Sequence, residues 1–113
     1  MDESKQTPSH ELMLHQSQWA QLTFRQLQKD AELCGIDWPE ASMPTDYPGW
    51  IYWLHERLVR MDKQNPEHLS RFLYRVDLPE RKFLEAPFPS ADMAEAVLKR
   101  EFMKVWFKEK YRG

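Results

Sequence analysis

Two histidines that are each followed by glutamate are the first residues whose types and spacing suggest chemistry. His55 and Glu56 begin an HExxH pattern, in which a second histidine one helical turn later completes a zinc site and the glutamate acts as the base. Val59 occupies the position of that second histidine. The pair that starts at His10 has its next histidine at His15, about 140° around a helix and therefore on another face. The sequence thus predicts no metal site and no bound cofactor.

The single cysteine and the serines offer no local motif for a nucleophile. Cys34 falls at the C-terminal end of a predicted helix, where the dipole disfavours a thiolate, so we interpret it as a small buried hydrophobic residue. No serine lies in a GxSxG motif, and the three glycines form no phosphate-binding loop. A triad assembled from distant positions stays open. The sequence favours a non-enzymatic protein without excluding an enzyme.

Composition and charge limit the class of protein. The 113 residues match the usual size of one domain, and 42% hydrophobic with 30% charged residues is typical of a chain that folds. A net charge of −2 lacks the positive field that drives non-specific binding to nucleic acids. The first residues, MDESKQTPSHEL, do not resemble a signal peptide, and no apolar run is long enough to span a membrane. We predict a soluble cytoplasmic protein that binds neither nucleic acids nor membranes.

Helical periodicity predicts an all-α fold, a compact bundle of four principal helices in a single domain over residues 9–113. Alternating runs of β-branched residues, which would indicate strands, are missing. Residues 1–8 are predicted to be a disordered tail. The helices are expected at residues 9–34, 48–64, 66–76 and 90–111, with a further short helix at 78–86.

Capping residues define several of these predicted helix ends. Ser9, Asn65 and Ser90 are each placed to accept a hydrogen bond from the first turn of a helix. Gly35 is predicted to end the first helix in a left-handed conformation, and Ile36 is expected to make the hydrophobic contact that accompanies such an end. The sequence therefore predicts where most helices begin and where the first one stops.

A long proline-rich loop, DWPEASMPTDYP, joins the first two predicted helices at residues 37–48. Connections of this length are uncommon in compact domains unless they fold over something. Trp38 and Met43 are expected to be its anchors on the core. We therefore predict that the loop covers part of the core or a cavity.

The last predicted helix carries apolar residues on two opposite faces. Such a helix is either central in the bundle or meets a partner through its second face, and a second copy of the chain would be one such partner. The leading hypothesis is therefore a non-enzymatic protein-interaction or self-associating module. The candidate interface consists of Met93, Ala96, Arg100, Met103, Phe107 and Tyr111.

Two charged residues lie where the helical pattern expects apolar ones. Arg57 falls within the apolar face of the second principal helix, and Glu101 falls within that of the last. Either they approach each other at the edge of the core, because half-buried charges need partners or water, or both long side chains extend separately to solvent. The alternative to the interaction module, as a function for the whole protein, is a small-molecule-binding domain or enzyme with an aromatic-lined pocket under residues 37–49. The candidate pocket consists of Trp38, Tyr47, Trp50, Trp53, Arg57 and Glu101.

The two hypotheses predict different surfaces. An interaction module should present a flat exposed patch around Met103 and Phe107, since these residues belong to the second face of the last helix. A ligand-binding domain should instead contain a cavity beneath the proline-rich loop.

Overall fold

The computed structural model describes residues 8–38, 42–78 and 88–111, and within these ranges the chain forms five helices and no strand. The predicted all-α class with four principal helices is therefore confirmed. The predicted tail at residues 1–8 and the predicted short helix at 78–86 fall almost wholly outside the described residues. The helices are α1 (His10–Met13), α2 (Ser17–Leu33), α3 (Tyr47–Gln64), α4 (Pro66–Val76) and α5 (Ala91–Lys110).

Helix α5 lies at the centre of the fold, because it packs against each of the other four helices. Its fully buried residues include Val97, Leu98 and Phe102, and each such side chain contributes about 1.5–3 kcal/mol through the hydrophobic effect. Within the described ranges, no helix combines the length and apolarity needed to cross a membrane.

The first predicted helix is broken at residues 14–16, which corrects the prediction of one continuous helix. In a continuous helix Leu14 would lie about 120° away from Ala20, outside the face that packs on the core. The break places Leu14 in the core at 6% exposure, while Leu12 points outward at 69%. Leu14 caps the end of the first segment, and Gln16, whose amide donates to the carbonyl of Met13, precedes α2 in an extended conformation.

The predicted N-terminal caps are confirmed. The side-chain oxygens of Ser9, Asn65 and Ser90 accept backbone hydrogen bonds of 3.4, 3.1 and 3.1 Å from the first turns of α1, α4 and α5. The cap of α3 was not predicted: Asp46 Oδ1 accepts from the Gly49 amide at 2.7 Å. Helix α3 consequently begins one residue before Pro48, the predicted start.

Gly49 and Asp46 are expected to be energetically coupled. A Cβ at position 49 would lie 2.7 Å from Asp46 Oδ1, so alanine there displaces the cap. We expect Gly49→Ala alone to change stability little, because the lost cap offsets the gain of about 1 kcal/mol in helix propensity. In an Asp46→Ala background the same change should stabilise the protein by about 1 kcal/mol. Urea unfolding of the four variants measures the coupling, and additive effects would contradict it.

The end of α2 follows the predicted geometry. Gly35 has φ +80°, its amide donates to the carbonyl of Glu32, and the Ile36 amide donates to that of Ala31 at 2.9 Å. Ile36 also packs against the core. The chain therefore turns sharply at this point and delivers the next residues to the start of α4 and the second half of α3.

A buried charge cluster joins α2, α4 and α5. Asp30 is 1% exposed, and its carboxylate accepts from Arg75 Nε at 3.1 Å, Gln26 Nε2 at 3.2 Å and Lys104 Nζ at 2.8 Å. Lys104 Nζ also donates to the carbonyl oxygen of Arg75 and to Glu101 Oε1, at 3.0 and 3.3 Å. Glu101 therefore pairs with Lys104 of its own helix and lies beside Asp30. The hypothesis of a contact between Arg57 and Glu101 is wrong, and Glu101, at 0% exposure, does not extend to solvent either.

The surroundings of Glu101 favour its protonated form beside the carboxylate of Asp30. Burial, then the hydrogen bond to Asp30 and its charge, raise the pKa of Glu101 to about 8, although Lys104 opposes this shift. Burial alone would raise the pKa of Asp30, but hydrogen bonds from Glu101 and Lys104 hold it below its usual value. Among the described residues, no N–H or hydroxyl donor pairs with the other oxygen of Glu101, Oε2. A protonated Glu101 that donates to ionised Asp30 accounts for these observations.

Candidate ligand-binding groove

A groove of about 450 Å³ lies where the end of α2, the second half of α3 and the start of α4 meet. It is a partly open concavity, and both polar and apolar side chains form its walls. The lining residues are Gly35, Ile36, Asp37, Trp38, Arg57, Arg60, Met61, Gln64, Asn65 and His68.

Trp38 forms a wall of the groove and is fixed by the aromatic core. Its ring lies 5.6 Å from the rings of both Trp53 and Phe72, at interplanar angles of 78° and 59°. Trp38 and Met43 both pack against the core, which confirms them as anchors of the proline-rich loop. Because Trp53 and Phe72 contact the Trp38 ring on its core side, the ring is positioned in the groove without a ligand.

Arg57 brings to the groove a guanidinium that forms no ion pair with a described residue. Its guanidinium carbon lies 5.5 Å from the centre of the Trp53 ring, and its Nε is buried without a hydrogen-bond partner among the described residues. Burial, followed by repulsion from Arg60, lowers the pKa of Arg57, and Glu56 only partly opposes this. The side chain is therefore held at the edge of the core in an environment that disfavours its charge.

The positive charge of the groove is not neutralised by ion pairs within the described ranges. All ion pairs found there involve Asp30, Asp77 or Glu101, and neither Arg57 nor Arg60 takes part in them. Asp37 is the carboxylate among the lining residues. The described lining residues thus bring two guanidinium groups and one carboxylate to the groove, an arrangement suited to an anionic group.

The structure brings together only part of the predicted pocket. Trp38 and Arg57 line the groove, and Trp53 lies directly beneath both of them. Trp50 is 1% exposed and belongs to the core. The other two predicted residues, Tyr47 and Glu101, lie elsewhere, at the contact of α3 with α1 and in the buried charge cluster.

Arg60 and His68 are groove residues that the sequence reasoning missed. Arg60 lies three positions after Arg57, a spacing that places both on neighbouring parts of one helix, so the signal was available. His68 reaches the groove only because the chain reverses at Asn65 between α3 and α4. No pattern within a single helix reveals that contact.

The predicted interface on α5 is only partly covered in the folded chain, with one residue buried, three half-buried and two exposed. Met93 is completely buried, Ala96 and Met103 pack against the core, and Arg100 pairs with Asp77 at 2.7 Å. The two remaining members are open, at 37% exposure for Phe107 and 71% for Tyr111. Their rings stack 6.1 Å apart beyond the part of α5 that the other helices surround. The two-faced pattern of α5 is thus explained in part by its central position.

The residues first considered for chemistry have structural contacts. His55 Nε2 lies 3.0 Å from the carbonyl oxygen of Pro89, and His10 Nε2 lies 2.7 Å from Tyr47 Oη. Because Tyr47 Oη donates to Glu95 Oε2 at 2.6 Å, it accepts from His10. Among the residues that the structure describes, no three His, Cys, Asp or Glu side chains gather as metal ligands.

Cys34 is buried, as predicted from its place at the end of α2. Burial raises the pKa of its thiol, and the nearby charge of Arg75 opposes that shift. The thiol therefore lacks the environment that activates a nucleophilic cysteine.

Comparisons of the chain with models of protein families, with curated proteins and with solved structures found no match. The function is therefore inferred from the geometry of this chain itself.

Proposed function

We propose that this protein binds a small anionic ligand in the groove between α2, α3 and α4. The observation that carries the proposal is the position of Arg57, a guanidinium in the apolar face of α3 with a buried, unpartnered Nε and no ion pair to a described residue. Buried donors without partners are rare in folded proteins and call for a specific reason. An anion held in the groove would pair with the guanidinium group of Arg57 and offset the cost of its partly buried charge.

The neighbouring groups support the same ligand chemistry. Arg60 adds a second cation to the groove wall, and guanidinium groups match carboxylates and phosphates through paired hydrogen bonds. His68 contributes an imidazole from the first turns of α4. Repulsion between the two arginines is relieved when an anion enters, so binding gains energy from a charge arrangement that is unfavourable in the empty groove.

Titration with pyrophosphate tests this proposal. We expect saturable quenching or enhancement of tryptophan fluorescence, because Trp38 and Trp53 adjoin the groove, and an affinity that falls as salt is added. Arg57→Met should weaken binding by about tenfold or more, which is the loss expected for one charge-assisted contact.

Arg25→Met is the matched control, because Arg25 is exposed on α2 and belongs to a different concavity, one formed with α5. It should bind pyrophosphate as the wild-type chain does. Equal weakening by the two substitutions, or a response that never saturates, would show only general attraction of an anion to surface arginines and would refute the site.

A protein-interaction or self-associating module is the second candidate function. It is favoured by exposed apolar residues in two places, Phe107 with Tyr111 at the end of α5 and Leu33 with Tyr74 beside a shallow groove between α2 and α4. Tyrosine is enriched at the energetic centres of protein interfaces. Sedimentation velocity up to high micromolar concentration tests self-association, and a strict monomer would remove that form of the hypothesis.

A further inference from the structure

A second concavity adjoins the first across residues 35–38. It has a volume of about 400 Å³ and shares Gly35, Ile36, Asp37 and Trp38 with the first groove. Its other walls come from Gln28 and Glu32 of α2. These two residues are four positions apart and so lie on one face of the helix.

The two concavities carry opposite charge. Among the described lining residues, the first has Arg57 and Arg60 with the shared Asp37, whereas the second has Glu32 with the same Asp37 and no cation. Within the described ranges, neither of these carboxylates belongs to an ion pair. Gln28 adds an amide that can both donate and accept. A ligand that spans both concavities therefore meets hydrogen-bond donors at one end and mainly acceptors at the other.

Trp38 stands at the junction of the two concavities and is half-buried. Its contacts with Trp53 and Phe72 hold the indole in place from the core side. An indole fixed in this way favours a flat ring in the ligand, because stacking on an aromatic side chain contributes about 1–3 kcal/mol per ring. The order of chemical features along the site is thus cation pair, aromatic ring and carboxylates.

We infer that the two concavities form one bipolar site for a phosphate monoester that carries an amino-substituted aromatic ring. This inference rests on the proposed function, because it uses the arginine groove as the phosphate end. The phosphate pairs with Arg57 and Arg60, the ring lies against Trp38, and the exocyclic amino group donates to Glu32 and Gln28. A free nucleotide and the terminal nucleotide of a larger molecule would both present these groups.

Calorimetric titration of the full chain with four probes tests the inference. The probes are inorganic phosphate, ribose phosphate, inosine monophosphate and adenosine monophosphate, which add in turn a sugar, a ring and an amino-substituted ring. We expect adenosine monophosphate to bind about tenfold tighter than ribose phosphate, since stacking contributes more than 1 kcal/mol. Inosine monophosphate should fall between them because its ring presents an oxygen where adenine presents an amino group.

Two substitutions separate the ring and amino contacts. Trp38→Phe should reduce the preference for both nucleotides over ribose phosphate, and ring-current shifts of the Trp38 indole resonances in NMR spectra should accompany nucleotide binding to the wild-type chain. Glu32→Gln should reduce only the preference for adenosine over inosine monophosphate. Glu11→Gln, an exposed change on α1, is the control and should leave all affinities unchanged.

The outcomes distinguish this inference from the proposed function. If phosphate, ribose phosphate and both nucleotides bind with equal affinity and the Trp38 resonances do not move, the bipolar site is refuted while the anion site stands. If none of the four probes and no pyrophosphate binds, the proposed function itself is overturned. A preference for inosine over adenosine monophosphate would refute the role given to Glu32.

Discussion

Replacing Lys104 with methionine is expected to lower the free energy of unfolding by about 3 kcal/mol, because it removes the cation between two buried carboxyl groups. Its ammonium contacts Asp30 and Glu101, whose side chains are 1% and 0% exposed. Methionine keeps the apolar stem of lysine, so the loss reports on the charge rather than on packing. Urea unfolding at neutral pH measures the difference.

Two further variants show whether the buried charge is responsible. Lys108→Met, an exposed change one turn later on α5, should alter stability by less than about 0.5 kcal/mol. Adding Glu101→Gln to Lys104→Met should change stability little further at neutral pH, since protonated Glu101 is already neutral and the amide can likewise donate to Asp30. A Lys104→Met variant as stable as Lys108→Met would contradict the role of the cluster.

Stability is expected to decrease as the pH rises from weakly acidic values to about pH 8, because Glu101 keeps its proton in the folded chain. Burial and Asp30 raise its pKa from 4.5 to about 8 in the folded chain. As the pH rises, the unfolded chain therefore releases this proton at a lower pH than the folded chain does. At about 1.4 kcal/mol per pKa unit, the stability contributed by protonated Glu101 falls by a few kcal/mol across that window. Above about pH 8 the contribution is lost and the dependence ends.

Other groups titrate in the opposite sense. Because folding lowers the pKa of Asp30, its carboxylate stabilises the fold at pH values above the unfolded pKa of 3.8. This stabilisation is lost as the pH falls through the lower pKa of the folded chain. Burial lowers the pKa of His10 from 6.5, so its contribution is likewise lost on acidification. The difference between the wild-type chain and Glu101→Gln isolates the glutamate.

Unfolding free energies at pH 5, 7 and 9 should decrease in the wild-type chain relative to Glu101→Gln, which cannot titrate at this position. The relative loss should occur mostly before about pH 8, the value to which the pKa is raised. Parallel pH profiles for the two proteins would contradict the protonation of Glu101 in the folded chain.

Local features of the fold were predictable because they depend on neighbours in the sequence. Hydrogen bonds at Ser9, Asn65 and Ser90 each span two or three residues, and the left-handed turn at Gly35 needs only the absence of a side chain. The break before α2 was missed because it is the core, through Leu14, that favours it. Helix propensity around that position contains no such signal.

The candidate site was predictable only in part, for a geometric reason. Helical periodicity identified Arg57 as a charge in an apolar face, and the loop sequence identified Trp38 as an anchor, so two groove residues were found. Periodicity gives the face of each helix but not which helices are neighbours. Glu101 was therefore assigned to the wrong partner, and His68 was not connected with the groove.

Urea unfolding of the wild-type chain and Arg57→Met, each with and without pyrophosphate, tests most directly whether Arg57 serves a ligand rather than the fold. Without the anion, Arg57→Met should be as stable as the wild-type chain or more stable by about 1 kcal/mol, since methionine suits the apolar face and leaves no buried Nε unpartnered. Pyrophosphate should stabilise the wild-type chain by mass action and the variant by clearly less, because the variant binds the anion about tenfold or more weakly. A variant that loses stability without the anion, yet gains as much from pyrophosphate as the wild-type chain, would contradict the anion site.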